Sequence, residues 1–357
     1  MTSQNIVRKS MLHEECESVT QSLKRKFGLS RILGRSKAVQ ELCQKINKIS
    51  LCKVNVLISG ESGTGKELAA RAIHYLSHRA GKPFIPINCG AIPESLFENE
   101  LFGHLKGAFT DAGLTQIGLV KQAEGGTLFL DEIAAISLYN QVKLLRFIQD
   151  KEYKPLGEAK PHKADVRIIA ATNGNLQRLV KEGGFREDLF YRMNVVSIYI
   201  PPLRRRREDI PILVEYFMSK YCKEYGKPIK VLSKDTMMKF MSYSWPGNIR
   251  ELENKIQQMV VMSNTPMINI EAIEPTLSEP IFKENKLEDF NAAKKKIISS
   301  FERTYLIQLL TEHSGHVVSA AKRAGKSRTG LWNLLKKYNI SPKKFHYWHN
   351  SKTGILE

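Results

Sequence analysis

The sequence predicts an α/β protein: a parallel sheet covered by helices, then a smaller helical lid, then a compact all-α segment towards the C-terminal end. Two observations predict it. From Ile32 onward, short apolar runs rich in Val and Ile alternate with amphipathic stretches, the pattern of strand–helix units that build a parallel sheet buried on both faces. After Pro201-Pro202 the strand-like runs stop and helical spacing takes over.

In chain order, residues 1–30 are polar and basic with only a short helical pattern, and are expected to form a leader too short for a receiver or sensor domain. Val54-Asn55-Val56-Leu57-Ile58 is expected to be a buried strand, followed by a Gly-rich turn and a helix over Lys66 to His78. Further strands are expected at Phe84-Ile85-Pro86-Ile87, Gly126 to Leu130 and Val166 to Ala171. The α/β part then spans 31–200 and the helical lid 201–264. A linker at 265–291 loses periodicity and carries Pro266, Pro275 and Pro280, and a helical domain fills 292–345.

Composition narrows the class of function. The 357 residues suffice for about two domains, with 42% hydrophobic and 25% charged residues as in ordinary globular chains. Charge is the outlier: 55 Lys+Arg against 36 Asp+Glu gives +19, which favours a polyanionic partner, nucleic acid before membrane. No apolar run approaches the roughly 20 residues that span a bilayer, and MTSQNIVRKS lacks the apolar stretch of a secretory signal. Cys16, Cys43, Cys52, Cys89 and Cys222 are odd in number and widely spaced, which suits inert thiols in a reducing compartment; a cytoplasmic location is expected.

Gly60-Glu61-Ser62-Gly63-Thr64-Gly65-Lys66 lies between an expected strand and an expected helix. Glycines there let backbone N–H groups turn towards phosphates, the helix N-terminus adds positive potential, and Lys66 reaches the β/γ-phosphates of ATP. Glu67 stands where the general pattern has a hydroxyl for Mg2+. Leu128-Phe129-Leu130-Asp131-Glu132 adds a strand ending in two carboxylates: Asp131 to hold Mg2+, directly or through water, and Glu132 to polarise the attacking water.

GESGTGKE, with Glu67 after the lysine, resembles the phosphate loop of sigma-54-dependent transcriptional activators, the bacterial enhancer-binding proteins. The similarity runs from about Ile32 to Asn264 through Pro86-Ile87-Asn88-Cys89, Glu100-Leu101-Phe102-Gly103-His104, Gly125-Gly126-Thr127 and Trp245-Pro246-Gly247-Asn248-Ile249-Arg250-Glu251-Leu252. The resemblance implies an AAA+ ATPase core with a helical lid, working as a ring that is typically a hexamer. It implies that Asn88 switches Glu132 between states, and that Thr172-Asn173 senses the γ-phosphate. Arg186 and Arg192 become fingers given to a neighbour's nucleotide, and Arg250 a lid sensor in the same subunit. A guanidinium fork suits spreading γ-phosphate charge.

Gly107-Ala108-Phe109-Thr110-Asp111-Ala112 resembles the GAFTGA loop by which this family grips sigma-54, with Asp111 in place of the second Gly. Exposing Phe109 is costly unless it meets a partner. Asp111 brings a negative charge and a narrower backbone range; it is expected to retune the loop without abolishing contact.

Towards the C-terminal end, Phe301, Tyr305, Ile307, Leu309 and Leu310 are core candidates of one helix. Val317 to Arg328 then reads helix, Gly325 turn, helix, and the helix from about Ser327 to Tyr338 shows Leu331, Trp332, Leu334 and Leu335 as its apolar face. This pattern resembles the Fis-type helix-turn-helix that ends the family, and from His313 to Leu356 there is no acidic residue. Lys326, Ser327, Arg328, Thr329 and Asn333 lie at or near the start of the recognition helix, where they would meet enhancer DNA.

The expected function is therefore ATP-driven remodelling of the closed sigma-54 RNA polymerase promoter complex, with no activating phosphorylation required. The alternative is a DNA-binding regulator of the same family acting by occupancy. A remodeller of other proteins gives no reason for the terminal helices.

Overall fold

The computed structural model describes residues 21–23, 26–110, 112–268, 298–299, 302–303, 305–307, 309–338 and 340–342. Most of the expected leader and linker, and Asp111, lie outside the described residues. The chain divides into two compact units, 1–279 and 280–357.

The first unit is built on five parallel strands: β1 (Val56–Ser59), β2 (Phe84–Asn88), β3 (Thr127–Asp131), β4 (Arg167–Thr172) and β5 (Val196–Tyr199). Their order across the sheet is β2-β3-β4-β1-β5. The period of two sorts their side chains between two cores. Leu57, Leu128, Leu130, Ile168 and Ala170 face one side with Ile87, packing on α3 (Glu94–Phe102), α4 (Leu138–Asp150) and α5 (Glu187–Met193). Val56, Ile58, Phe129, Ile169 and Ala171 face the other, packing on α1 (Lys37–Ser50) and α2 (Lys66–Tyr75). Central β4 is buried at all six positions. Its first residue, Arg167, donates to the carbonyls of Ile49 (2.9 Å), Ser50 (3.3 Å) and Val54 (3.3 Å), closing the C-terminal end of α1 with a cation as the helix dipole favours.

Four strands stand within two residues of their expected bounds. The fifth, β5, has no counterpart in the sequence reading. It is an edge strand of which only Ile198 is buried, while Tyr199 and the preceding Val195 face out. Helix α2 stops at Tyr75, short of the expected His78, because the Ser77 hydroxyl turns back to the His74 carbonyl (2.6 Å) and accepts from Arg79 N–H (3.0 Å).

Two small hairpins project from the α/β part: Gly103–His104 with Gln116–Ile117, and Glu152–Tyr153 with His162–Lys163. Leu105 N–H to Leu156 O (3.0 Å) and Leu156 N–H to Gly103 O (2.9 Å) join them side by side. The lid comprises α6 (Ile210–Glu224), α7 (Lys234–Ser242) and α8 (Asn248–Met262), packed around fully buried Trp245, whose indole N–H donates to Phe240 O at 2.7 Å. Met267–Ile268, within the stretch read as linker, pairs in parallel with Val231–Leu232.

In the second unit, α9 (Val317–Arg323) and α10 (Arg328–Lys337) flank a turn in which Gly325 takes φ +62°. Leu306, Leu309, Leu310, Ala320, Ala321, Leu331 and Leu335 form its core. Three core expectations need correction. Tyr305 and Ile307 are exposed, because Leu306 supplies the inward position of that turn. Trp332 is 46% exposed, because the Leu331–Leu335 pair one turn apart already fills the inward stripe. Phe301 lies outside the described residues.

No helix among the described residues is long and apolar enough to cross a membrane.

Candidate functional site

The phosphate loop joins the end of β1 to the start of α2, with Gly60 N–H bonded to Thr172 O of β4 (3.2 Å). At Gly63, φ is +73° and an added Cβ would sit 2.3 Å from Gly247 O, so no other residue lets the lid approach this closely. Buried Lys66 extends Nζ to the Gly60 (2.9 Å) and Glu61 (3.1 Å) carbonyls. Burial pulls its pKa down, and the Asp131 and Glu132 charges oppose that pull.

Ser62, Gly63, Thr64, Gly65, Lys66, Glu67, Asp131, Glu132, Asn173 and Arg250 line one cavity of about 490 Å³. Gly60, Glu61 and Thr172 line an adjoining cleft that shares Asn173. Thr172 is buried, and its hydroxyl accepts from Gly174 N–H (3.1 Å), which fixes the turn that carries Asn173. Arg250 Nη1 lies 3.3 Å from Ser62 Oγ, so the lid side chain reaches the phosphate loop.

At the end of β3, Asp131 Oδ1 accepts from Glu132 N–H (2.9 Å), which orients the carboxylate. Glu132 sits at φ 53°, a left-handed conformation that swings its side chain out of the strand. A Cβ placed on Gly90 would meet Glu132 Oε2 at 2.6 Å, so the Glu132 carboxylate lies directly on the turn after β2. Asn88, in register with Asp131, shapes that turn by accepting from Gly90 N–H at 2.9 Å. Beside these acids, burial pushes the Cys89 thiol up to about 12, leaving it unreactive.

The Glu67 carboxylate pairs with Arg71 (2.7 Å) and is half exposed, so Glu67 contributes to the cavity wall rather than a metal ligand. The Asp131 carboxylate is an oxygen donor that suits a hard cation such as Mg2+, which takes its remaining ligands from water and phosphate oxygens.

Two expected site residues lie apart from this cavity in the same chain. Exposed Arg186, at the start of α5, is clasped by Asp188 (2.7 and 3.1 Å). Exposed Arg192, at the end of α5, borders a separate cleft with Lys53, Lys151 and Arg167.

The loop expected to meet sigma-54 rises from the first hairpin. Gly107 takes φ +82°, and Gly107 N–H to Ala112 O (2.8 Å) with Ala112 N–H to Phe109 O (3.0 Å) closes it. Ala112 is buried, Ala108 packs near Gly157 of the second hairpin, and Phe109 is 44% exposed.

Residues 32–199 match the Sigma-54 interaction domain, and residues 204–290 match an AAA+ ATPase lid domain. The chain is 43% identical over 342 residues to the regulatory protein AtoC of Escherichia coli (strain K12), covering 95% of this chain and 74% of AtoC. The chain belongs to the sigma-54-dependent transcriptional activators. The nitrogen fixation protein AnfA of Azotobacter vinelandii is 42% identical over 339 residues, covering 95% of this chain and 63% of AnfA. The structure of NtrX from Brucella abortus in complex with ATP superposes with a TM-score of 0.67 at 32% identity, covering 94% of this chain and 75% of NtrX. The activator chain thus spans about two thirds to three quarters of these relatives' lengths.

Further residues join the lid to the phosphate loop and to α1. Fully buried Asn248 donates to Ser62 O (2.9 Å) and accepts from Leu203 N–H (2.8 Å), tying lid to phosphate loop. Arg204 pairs with Glu61 (2.7 Å) and holds its carboxyl below the usual range, while Arg206 donates to Thr64 O (3.0 Å). Asp209 accepts from Arg35 N–H (2.6 Å), Ser36 N–H (2.8 Å) and the Ser36 hydroxyl (2.6 Å), fastening the start of α1 to the lid. Of these, Asn248 lies inside the motif Trp245 to Leu252, while the others join positions far apart in sequence.

Proposed function

We propose that this chain hydrolyses ATP within a ring, a hexamer by family analogy, and uses the stroke to drive the 107–112 loop against sigma-54 RNA polymerase while α9 and α10 hold enhancer DNA. The observation that carries this reading is a continuous path. The Glu132 carboxylate abuts the Asn88–Gly90 turn, that turn leads into α3, and α3 runs at Phe102 into the hairpin strand Gly103–His104, against whose His104 ring Phe109 packs.

In the cavity, the glycine-rich backbone and Lys66 bind the β/γ-phosphates. Lys66 already sits on two carbonyls, so exchanging them for phosphate oxygens replaces weak acceptors by charged ones. Asp131 would hold Mg2+, which when bound neutralises phosphate charge. Glu132 orients water for in-line attack and accepts its proton, and Asn88 sets which way Glu132 points. Thr172 and Asn173 read the presence of the γ-phosphate, and Arg250 reports it to the lid. Arg186 and Arg192, exposed and outside their own chain's cavity, serve the neighbour's nucleotide.

Lys326, Ser327, Arg328, Thr329 and Asn333 are all exposed on the second unit. Helix α10 has no acid in its first turn and begins with Arg328, against the preference of an isolated helix, so that end is built to meet an anion. Ser327 is the N-cap, accepting from Gly330 N–H at 3.1 Å, which assigns its hydroxyl a structural task. The chain works in the cytoplasm, where its polymerase is.

Glu132→Gln tests the reading. It should bind ATP and enhancer DNA as wild type does, yet lose hydrolysis and open-complex formation by roughly a hundredfold or more. A variant that still activates transcription would instead support action by occupancy.

A further inference from the structure

We propose that Trp332 is a sequence-reading residue of the activator, contacting the 5-methyl group of a thymine in the major groove of the enhancer. The proposal rests on the DNA-binding role given above to α10.

Three observations carry it. First, Trp332 stands on the outer face of α10. Leu331 and Leu335 are fully buried against Leu309, Leu310 and Ala320, so that stripe is satisfied without it. A tryptophan left 46% exposed on a small helical domain keeps a large apolar area in water, which is unfavourable unless a partner covers it.

Second, its neighbours on that face suit duplex DNA. Thr329, Trp332, Asn333 and Lys336 follow the i, i+3, i+4, i+7 spacing of one helical face, and all four are exposed. Thr329 and Asn333 offer hydrogen-bonding groups for base edges, and Lys336 a charge for the backbone. Lys322, Arg323, Lys326 and Arg328 surround the turn that leads into the helix, and no acid occurs between His313 and Leu356. That charge complements phosphate and opposes an acidic protein surface.

Third, the chemistry of Trp selects the contact. An indole has no acceptor and one N–H donor, so its ring is matched to an apolar feature of the groove. In the major groove that feature is the thymine methyl. Ser327 is occupied as the cap, which moves the burden of reading from the helix start to the positions one turn in.

The test uses the full-length protein. Duplexes selected from a random library by the wild-type protein define the bound sequence. Each thymine is then replaced singly by deoxyuridine, which removes only the methyl group. Wild type should lose about fivefold to tenfold in affinity at one or two thymines per half-site. Trp332→Ala should bind the thymine duplex more weakly by a similar factor and no longer distinguish it from the deoxyuridine duplex. Trp332→Phe, which keeps an apolar ring, should retain part of that discrimination, and both variants should melt as wild type does. If no deoxyuridine replacement matters, or if Trp332→Ala loses equally on both duplexes, the proposal is wrong while DNA binding stands. If the protein selects and binds no duplex at all, the DNA-binding reading falls and takes the proposal with it.

Discussion

The Phe109 ring lies with its centroid 4.9 Å from that of the His104 imidazole, the two planes tilted by 58°. His104 is itself buried and fixed, its Nδ1 donating to Asn99 Oδ1 at 2.6 Å, and Asn99 belongs to α3. The loop tip is therefore not a free tether. It rests on a side chain held by the helix that follows the Asn88–Gly90 turn, so a shift of that helix is expected to move Phe109.

Replacing His104 by Ala should separate the motor from its output. ATP turnover should stay within about twofold of wild type, while open-complex formation falls by roughly tenfold or more, since small misplacements of a working group are costly. Parallel assays of phosphate release and promoter opening check this. Equal loss in both would place His104 in the fold rather than in the coupling.

Asn248 should matter more than its absence from the cavity wall suggests. It is fully buried at φ +52°, and Ala would both lose its hydrogen bonds to Ser62 and Leu203 and strain the backbone. Asn248→Ala is expected to cost about 2–3 kcal/mol of stability and to weaken nucleotide binding, because the lid loses its hold on the phosphate loop. Thermal melts with and without nucleotide check both effects.

His74 predicts an acid-sensitive fold. It is fully buried, with Nε2 3.1 Å from Lys82 O and Nδ1 2.9 Å from Thr127 Oγ1. A carbonyl only accepts, so Nε2 carries the proton and Nδ1 accepts from the threonine. Burial lowers its pKa to about 4 from 6.5, so the unfolded chain binds a proton first as pH falls. Stability from this group is present above about pH 6.5 and declines by about 3 kcal/mol as pH falls to about 4. The fall in unfolding free energy with pH over that range, taken from denaturant titrations, should be steeper for wild type than for His74→Gln.

Arg192 and Lys66 are expected to act on the same nucleotide from different subunits. Arg192→Ala and Lys66→Ala should each be inactive alone. Mixed in equal amounts they should regain about a quarter of wild-type ATPase, because a heterologous ring interface pairs an intact phosphate loop with an intact finger at that frequency. No recovery on mixing, with rings still formed, would place both groups in one subunit's site.

Much of this was legible in the sequence because it is local. The strand at Val56–Ser59, the glycine loop and the paired acids at 131–132 are contiguous runs whose pattern and chemistry coincide. Edge strand β5 escaped because Tyr199 and Val195 face outward, so its run lacks the apolar density of a central strand. The two hairpins have strands of only two residues, too short to show a period. On hydrophobicity Trp332 reads as part of its helix's apolar face, and only the packing of Leu331 and Leu335 turns it outward. Contacts such as Asn248 with Ser62, or Asp209 with Ser36, depend on the closed tertiary structure and have no sequence signature.

The most direct measurement is open-complex formation on a sigma-54 promoter with purified protein, sigma-54 RNA polymerase and ATP, comparing wild type with Thr110→Ala. The account predicts open complexes with wild type, Asp111 in place, and none with Thr110→Ala although its ATPase persists. If wild type hydrolyses ATP and opens no promoter, the ATPase stands but the 107–112 loop serves another partner, and the account is contradicted.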